Sequence, residues 1–266
     1  MVEVEARSAG GSVEVDVCTP CRFVWFDAGE LAHLQVEDLA ARHREARREE
    51  VRQPETPFEW FRWLFGLPIT TRSRLAEVPV VTLLTAAAIV VIWIRTMGSD
   101  DAFAAYGLVP AEWDRLGGLT FFTSFFLHAD AEHLINNLLF FLIVGTGAED
   151  LLGKGRFILL LAAATLAGGA AHVLAVPASI VPCVGASGGI SGLLTFFAAK
   201  NPSARIGLVF GLPWIRVPAG AVLLLWACLQ LPELIFQLQG NADVAATAHF
   251  GGAIAGVAFF FLYRKL

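Results

Sequence analysis

Beyond Val78 the chain is a succession of apolar runs broken by short polar connections, whereas the first 77 positions are dense in charge. A bilayer-spanning helix needs about 20 mostly apolar residues, because its backbone polar groups must all be satisfied within the segment. Six runs meet or approach that length, at 78–97, 133–148, 156–176, 187–199, 215–237 and 244–263. The second and fourth are short. The pattern therefore predicts an all-α polytopic membrane protein of six transmembrane helices with a small cytoplasmic N-terminal region. Three segments are expected: 1–35, a compact N-terminal piece; 36–77, a charged linker and interfacial segment; and 78–266, the membrane domain. Within the first, V-E-V-E-A and S-V-E-V-D-V alternate with a period of two, as strands do. Leu34 to Arg52 mixes Glu and Arg as a solvated helix or linker would, and Trp60, Phe61, Trp63 and Phe65 suit an interfacial anchor.

Composition agrees with a lipid environment: 56% of residues are apolar, 16% are charged, and the mean hydropathy is +0.63. The net charge of -5 is mixed, without a long basic run or an aromatic platform beside one, so nucleic acid is not an expected partner. No basic, apolar and small-residue succession opens the chain, so no removable signal peptide is expected. Arg72, Arg74, Lys154, Arg156, Lys200, Arg205, Arg216, Arg264 and Lys265 fall on one side of the six runs, and Arg95 and Arg115 on the other. Both termini are thus expected in the cytoplasm, and the connection from Gly98 to Glu132 outside. That connection carries Phe121, Phe122, Phe125 and Phe126 among Asp114, Arg115, His128 and Asp130, which suits a loop half immersed in the interface; a plain periplasmic loop is the alternative.

Polar side chains inside apolar spans are costly and usually line a cavity or a site. Four stand out: Ser187 in G-A-S-G-G, His249 in A-H-F-G-G, and His133 and Asn137 one turn apart on the second run. Counted to the cytoplasmic charges, Ser187, His249 and Asn137 all lie ~18–22 Å from the inner face, at a rise of ~1.5 Å per residue. That common level is ~10 Å below the outer face of a ~30 Å hydrocarbon layer. A hydroxyl, an imidazole and a carboxamide at one depth are the nucleophile, base and oxyanion donor of acyl transfer. Gly185, Gly188 and Gly189 leave the hydroxyl uncrowded, and the free N–H groups of a helix starting there would face a developing oxyanion. The ordinary alternatives are a serine bonded to its own backbone and a histidine that only bridges helices, the reading given to His172. Gly252 and Gly256 form a small-xxx-small face that would bring the sixth span close to the fourth. Glu149 is read as a cap or loop anchor, and Cys183 and Cys228 as small apolar residues.

G-A-S-G (185–188), H-L-I-N-N (133–137) and A-H-x-x-G-x-x-x-G (248–256) resemble the motifs of rhomboid intramembrane proteases, over about residues 75–264. The resemblance implies the six-helix rhomboid fold and an intramembrane serine endopeptidase acting on membrane-anchored substrates, single-span or polytopic, within the bilayer. By it Ser187 is nucleophile and His249 base, in a dyad that lacks a third carboxylate. His133 and Asn137 fall on the oxyanion-hole positions, where the backbone N–H of Ser187 is expected to contribute and Gly185 to help stabilise the substrate. His128 falls on a further histidine of the first outer loop, and Glu149 on a glutamate that ties that loop and neighbouring helices together. Three positions depart from the family pattern. Leu119 and Thr120 stand where many members have Trp-Arg, and Ser191 stands where an aromatic ring often stacks on the catalytic histidine. No cofactor is implied for catalysis, and the location implied is a bacterial plasma (inner) membrane. Two other classes compete: an inactive rhomboid-like protein that binds transmembrane segments, and, more remotely, a transporter. Retention of Ser187, His249, His133 and Asn137 favours the protease, and the neutrality of the deep polar groups disfavours the transporter.

The N-terminal C-T-P-C-R-F-V-W-F-D-A-G-E-L (18–31) resembles half of a transcription-factor-IIB-type zinc ribbon of small bacterial proteins. Such ribbons hold zinc with two C-x-x-C knuckles. Only Cys18 and Cys21 are present, so zinc is an open expectation, with His33 and His43 more suited to solvent.

Overall fold

The computed structural model describes the strands Val2–Ser8, Gly11–Cys18 and Phe23–Trp25 and residues 78–209, 214–240 and 244–263. The chain divides into two compact units, 1–55 and 56–266. In the first, β1 (Val2–Ser8), β2 (Gly11–Cys18) and β3 (Phe23–Trp25) form an antiparallel sheet in sequence order, with Val4 opposite Val15 and Val17 opposite Val24. The period-two segments are its first two strands. Cys18 ends β2; Cys21, His33, His43 and the segment 26–77 lie outside the described residues.

The second unit is predominantly helical: α1 (Val80–Thr96), α2 (Asp100–Tyr106), α3 (Thr120–Thr123), α4 (Ala131–Ala175), α5 (Ser187–Lys200), α6 (Ala219–Leu238) and α7 (Ala246–Leu262). Helix α4 is two helices joined across a kink. At Gly153 φ is 71° and ψ is 162°, a conformation that residues with a Cβ avoid. A straight helix would hold Phe141 and Phe157 ~24 Å apart at ~1.5 Å per residue. Their ring centroids are 6.5 Å apart. The chain therefore folds back at Gly153, and an outgoing limb (131–152) lies beside a return limb (154–175). These are the second and third apolar runs.

The fifth run is shorter than its hydropathy suggests. Residues 214–218 are not helical: β5 (Trp214–Pro218) pairs antiparallel with β4 (Arg205–Val209), Arg205 opposite Pro218 and Gly207 opposite Arg216. W-I-R-V-P is rich in strand formers, and Pro218, at the N-cap of α6, fixes where the helix begins. The membrane domain is thus mostly rather than wholly helical.

Packing runs opposite to a water-soluble core. Thr82, His128, Asn137, Glu149, His172 and Gln237 are buried, whereas Leu84, Leu224, Leu229, Ile254 and Phe261 are more than 60% exposed. The interior is closed by Phe141, Phe157, Leu193, Phe196 and Phe197. Two helices, α4 and α6, are long and apolar enough to cross a membrane, and α1 and α7 are shorter apolar helices. An outward apolar surface around polar inner groups suits lipid as solvent.

Glu149, in the outgoing limb, accepts from Val81 N at 3.0 Å, Thr82 N at 2.8 Å and Thr82 Oγ1 at 2.7 Å. The N-cap of α1 is Pro79, which offers no side-chain bond, so a carboxylate from a distant helix satisfies the first-turn amides. The carboxylate anchors α1; its bonds among the described residues do not reach the outer loop.

Candidate active site

Loop 98–130 is built rather than draped. Ser99 caps α2 by accepting from Ala102 N, Thr123 Oγ1 donates to Tyr106 O at 2.6 Å, and Arg115 Nη2 donates to Gly107 O at 2.9 Å. Arg115 thereby supplies an anchor in a loop that has Leu119 and Thr120 in place of Trp-Arg. Leu108 and Cys183 exchange backbone bonds of 3.1 and 2.8 Å, and Gly185 N donates to Ser124 O at 2.9 Å. These three bonds fix the strand that delivers Ser187. Buried Phe125, packed edge-on to Phe141, seats the loop on the helices.

Gly185 has φ +119°, and a Cβ there would lie 2.7 Å from Cε1 and Nε2 of His133. Only glycine satisfies both the backbone and the space, and the His133 imidazole rests against it. Ser187 is the first residue of α5, whose N-cap, Ala186, provides no side-chain bond, so the first-turn amides keep their hydrogens for a ligand.

The bottom of the site is set by helix contact. A Cβ on Gly252 would overlap the carbonyl oxygen of Gly188, and one on Gly256 that of Gly192. Helix α7 thus meets α5 backbone to backbone, and the return limb joins them through Gly168, whose Cβ position is 2.7 Å from Ala248 O. This contact places His249 Nε2 2.7 Å from Ser187 Oγ.

His249 Nδ1 lies 2.6 Å from Oε1 of Gln230 on α6. Nothing in the sequence reading singled out Gln230, although a lone glutamine in the apolar run L-L-L-W-A-C-L-Q-L was a signal of the same kind as Ser187 and His249. Gln237 was passed over likewise. Its Nε2 is 3.0 Å from His172 Nδ1 and from Thr247 Oγ1, and its Oε1 accepts from Thr247 N at 2.8 Å. His172 bridges helices in this cluster and does not touch Ser187.

Asn137 is buried on the outgoing limb and gives one amide hydrogen to His133 O at 2.9 Å, leaving the other unspent. His128 is completely enclosed, its ring centroid 5.0 Å from that of His133. Desolvation, reinforced by His133, pulls His128 down to about 4, so it is a neutral wedge at neutral pH. Ser191 Oγ bonds back to Ser187 O at 2.7 Å and offers nothing to His249.

Residues 115–266 match the rhomboid domain. The chain belongs to the rhomboid family. It is 28% identical over 158 residues to the RHOMBOID-like protein 12, mitochondrial, of Arabidopsis thaliana, an alignment covering 53% of this chain and 45% of that protein. The chain therefore spans about half the length of this curated relative. Among the described residues the shortest bond between a hydroxyl and an imidazole is that of Ser187 to His249. At the N terminus Cys18 ends β2 while Cys21, the other half of its knuckle, lies outside the described residues, and no group of three His, Cys, Asp or Glu side chains gathers among the described residues.

Proposed function

We propose that this rhomboid protein is an intramembrane serine endopeptidase, a six-span protein of a bacterial plasma membrane with both termini in the cytoplasm. The 2.7 Å approach of Ser187 Oγ to His249 Nε2, on helices locked by glycine contacts, carries the reading. The serine hydroxyl donates its proton to Nε2 as the oxygen attacks the scissile carbonyl. The carbonyl oxygen gains charge and turns toward the first-turn amides of α5, the second amide hydrogen of Asn137 and the His133 ring. His249 returns the proton to the leaving amine as the C–N bond breaks, and water, deprotonated by the same nitrogen, releases the acyl group. His128, Glu149, Gly252 and Gly256 act as structural support.

Substrates of this reading are membrane-anchored proteins, single-span or polytopic, that enter from the lipid. A helical substrate keeps its carbonyls bonded internally, so the scissile segment must unwind first, and Gly/Ala/Ser-rich outer ends are cut in preference to Leu-rich ones.

The test is fluorophosphonate labelling of the purified protein beside cleavage of a single-span reporter. Wild type labels and cleaves; Ser187→Ala does neither; His249→Ala loses cleavage while still inserting and folding. Wild type that neither labels nor cleaves would identify an inactive rhomboid-like protein that binds transmembrane segments.

A further inference from the structure

A neutral imidazole carries one proton on two nitrogens, so the partner of one nitrogen decides whether the other donates or accepts. His249 faces Ser187 through Nε2 and Gln230 through Nδ1, at 2.7 and 2.6 Å. A carboxamide oxygen can only accept. The imidazole proton must therefore sit on Nδ1 and be donated to Oε1, which leaves the Nε2 lone pair directed at the serine hydroxyl, the tautomer a general base requires.

We infer that Gln230 is a positioning residue that fixes the tautomer and ring orientation of His249, making the centre a relay of Gln230, His249 and Ser187 rather than a dyad. The inference rests on the protease reading above and deepens it. Other groups around His249 are committed elsewhere. Ser191, at the position where a stacking ring is absent, bonds to Ser187 O, while His172 and Thr247 bond to Gln237. Without Gln230 the Nδ1 side of the ring has no hydrogen-bond partner among the described residues.

The choice of an amide fits the surroundings. A carboxylate would stabilise the imidazolium more strongly, but an ionised group inside an apolar span carries a heavy desolvation cost. A glutamine supplies the acceptor without a permanent charge. When His249 takes the serine proton, the bond from Nδ1 to Oε1 becomes charge-assisted, so it strengthens where the reaction needs it.

The experiment compares full-length wild type, Gln230→Met and Gln230→Glu in detergent. Methionine keeps the length of the side chain and removes the acceptor; glutamate keeps the acceptor and has no amide hydrogens to donate. ¹⁵N NMR of histidine-labelled protein, with the His249 signal assigned by its loss in His249→Asn, should show Nδ1 protonated in wild type and Gln230→Glu. Gln230→Met should show a mixture of tautomers. Reporter kinetics should show kcat reduced on the order of 10²-fold in Gln230→Met with KM unchanged, and largely recovered in Gln230→Glu. Wild-type kcat and an unchanged tautomer in Gln230→Met would overturn the inference, and so would a Gln230→Glu that folds and keeps Nδ1 protonated yet is as impaired as Gln230→Met. A wild type that neither labels nor cleaves, yet whose His249 signal still responds to Gln230→Met, would sink the protease reading alone and leave the tautomer assignment standing.

Discussion

Helices α7 and α6 both hand a side chain to the same imidazole cluster, but they are held in different ways. Helix α7 buries Gly251, Gly252, Gly256, Ala246, Thr247, Ala248 and Phe259, and its glycines sit directly on the backbone of α5. Helix α6 is longer, yet it buries only Ala219, Val222 and Gln237, and Leu224, Leu229 and Leu238 point outward, each more than 60% exposed. Close packing of small residues gives α7 dispersion contacts that α6 does not have, since lipid supplies no hydrophobic drive between helices. Ser187 and His249 thus share a rigid frame, whereas the ring's second partner sits on a helix tied down by a few polar bonds. In the proposed mechanism the geometry of the Ser187–His249 pair is set by packing, and the tautomer by a hydrogen bond from a looser element.

The most damaging test of that contrast is Gly252→Val. Its new Cβ falls on the carbonyl oxygen of Gly188, so α5 and α7 must separate. Overpacking of this kind costs about 1–3 kcal/mol or more, and the separation breaks the Ser187–His249 bond. We expect cleavage and fluorophosphonate labelling to fall below detection. The matched change on the other helix, Leu229→Ala, should stay within about 0.5 kcal/mol by thermal unfolding and keep activity, because the side chain is mostly exposed on the outer face of α6. Equal effects from the two would erase the distinction.

A substitution on the packed side that leaves packing alone should act on chemistry only. Asn137 donates one hydrogen to its own helix, and in the proposed mechanism the other serves the oxyanion. Asn137→Ala is expected to lower kcat ~10²–10³-fold, the usual effect of one lost oxyanion donor, with little change in Tm. Unchanged turnover would remove Asn137 from the site.

The sequence carried the family and the residues gathered at the centre because each is a local signal: Ser187 and His249 are polar atoms in apolar runs with glycines at fixed spacing. The helix ends were legible to within a few residues for the same reason, and the reversal at Gly153 followed from two runs separated by charge. What the sequence did not carry is what depends on rotation about a helix axis. Gln230 and Gln237 are seven residues apart on α6 in the sequence, yet which face of α6 meets α7 follows only from packing. The strand Trp214–Pro218 was hidden because Trp214, Ile215 and Val217 run on into the apolar helix it precedes. Glu149 could be read as an anchor, but its partner, the uncapped start of α1, is 67 residues away.

Those two glutamines give the finest test, because they sit on one helix and reach opposite ends of the same problem. Gln237 Oε1 accepts from Thr247 N in the first turn of α7, whose N-cap, Ala245, has no side chain able to do so. Its Nε2 ties the same turn to His172 on the return limb. Gln237→Leu leaves the Thr247 amide and the His172 ring without this partner, at a cost of about 1–3 kcal/mol. The loss should appear as a Tm lower by several degrees. Turnover of the protein that remains folded should change less than tenfold, because no bond of Gln237 reaches His249 or Ser187. Gln230→Met should do the reverse, lowering kcat with Tm nearly constant, since its one bond is to the reacting imidazole. Parallel unfolding curves and reporter kinetics on the two variants separate the roles. If Gln237→Leu lost turnover as deeply as Gln230→Met, α6 would be acting as one rigid unit with α7, and the contrast between a packed helix and a tethered one would fail.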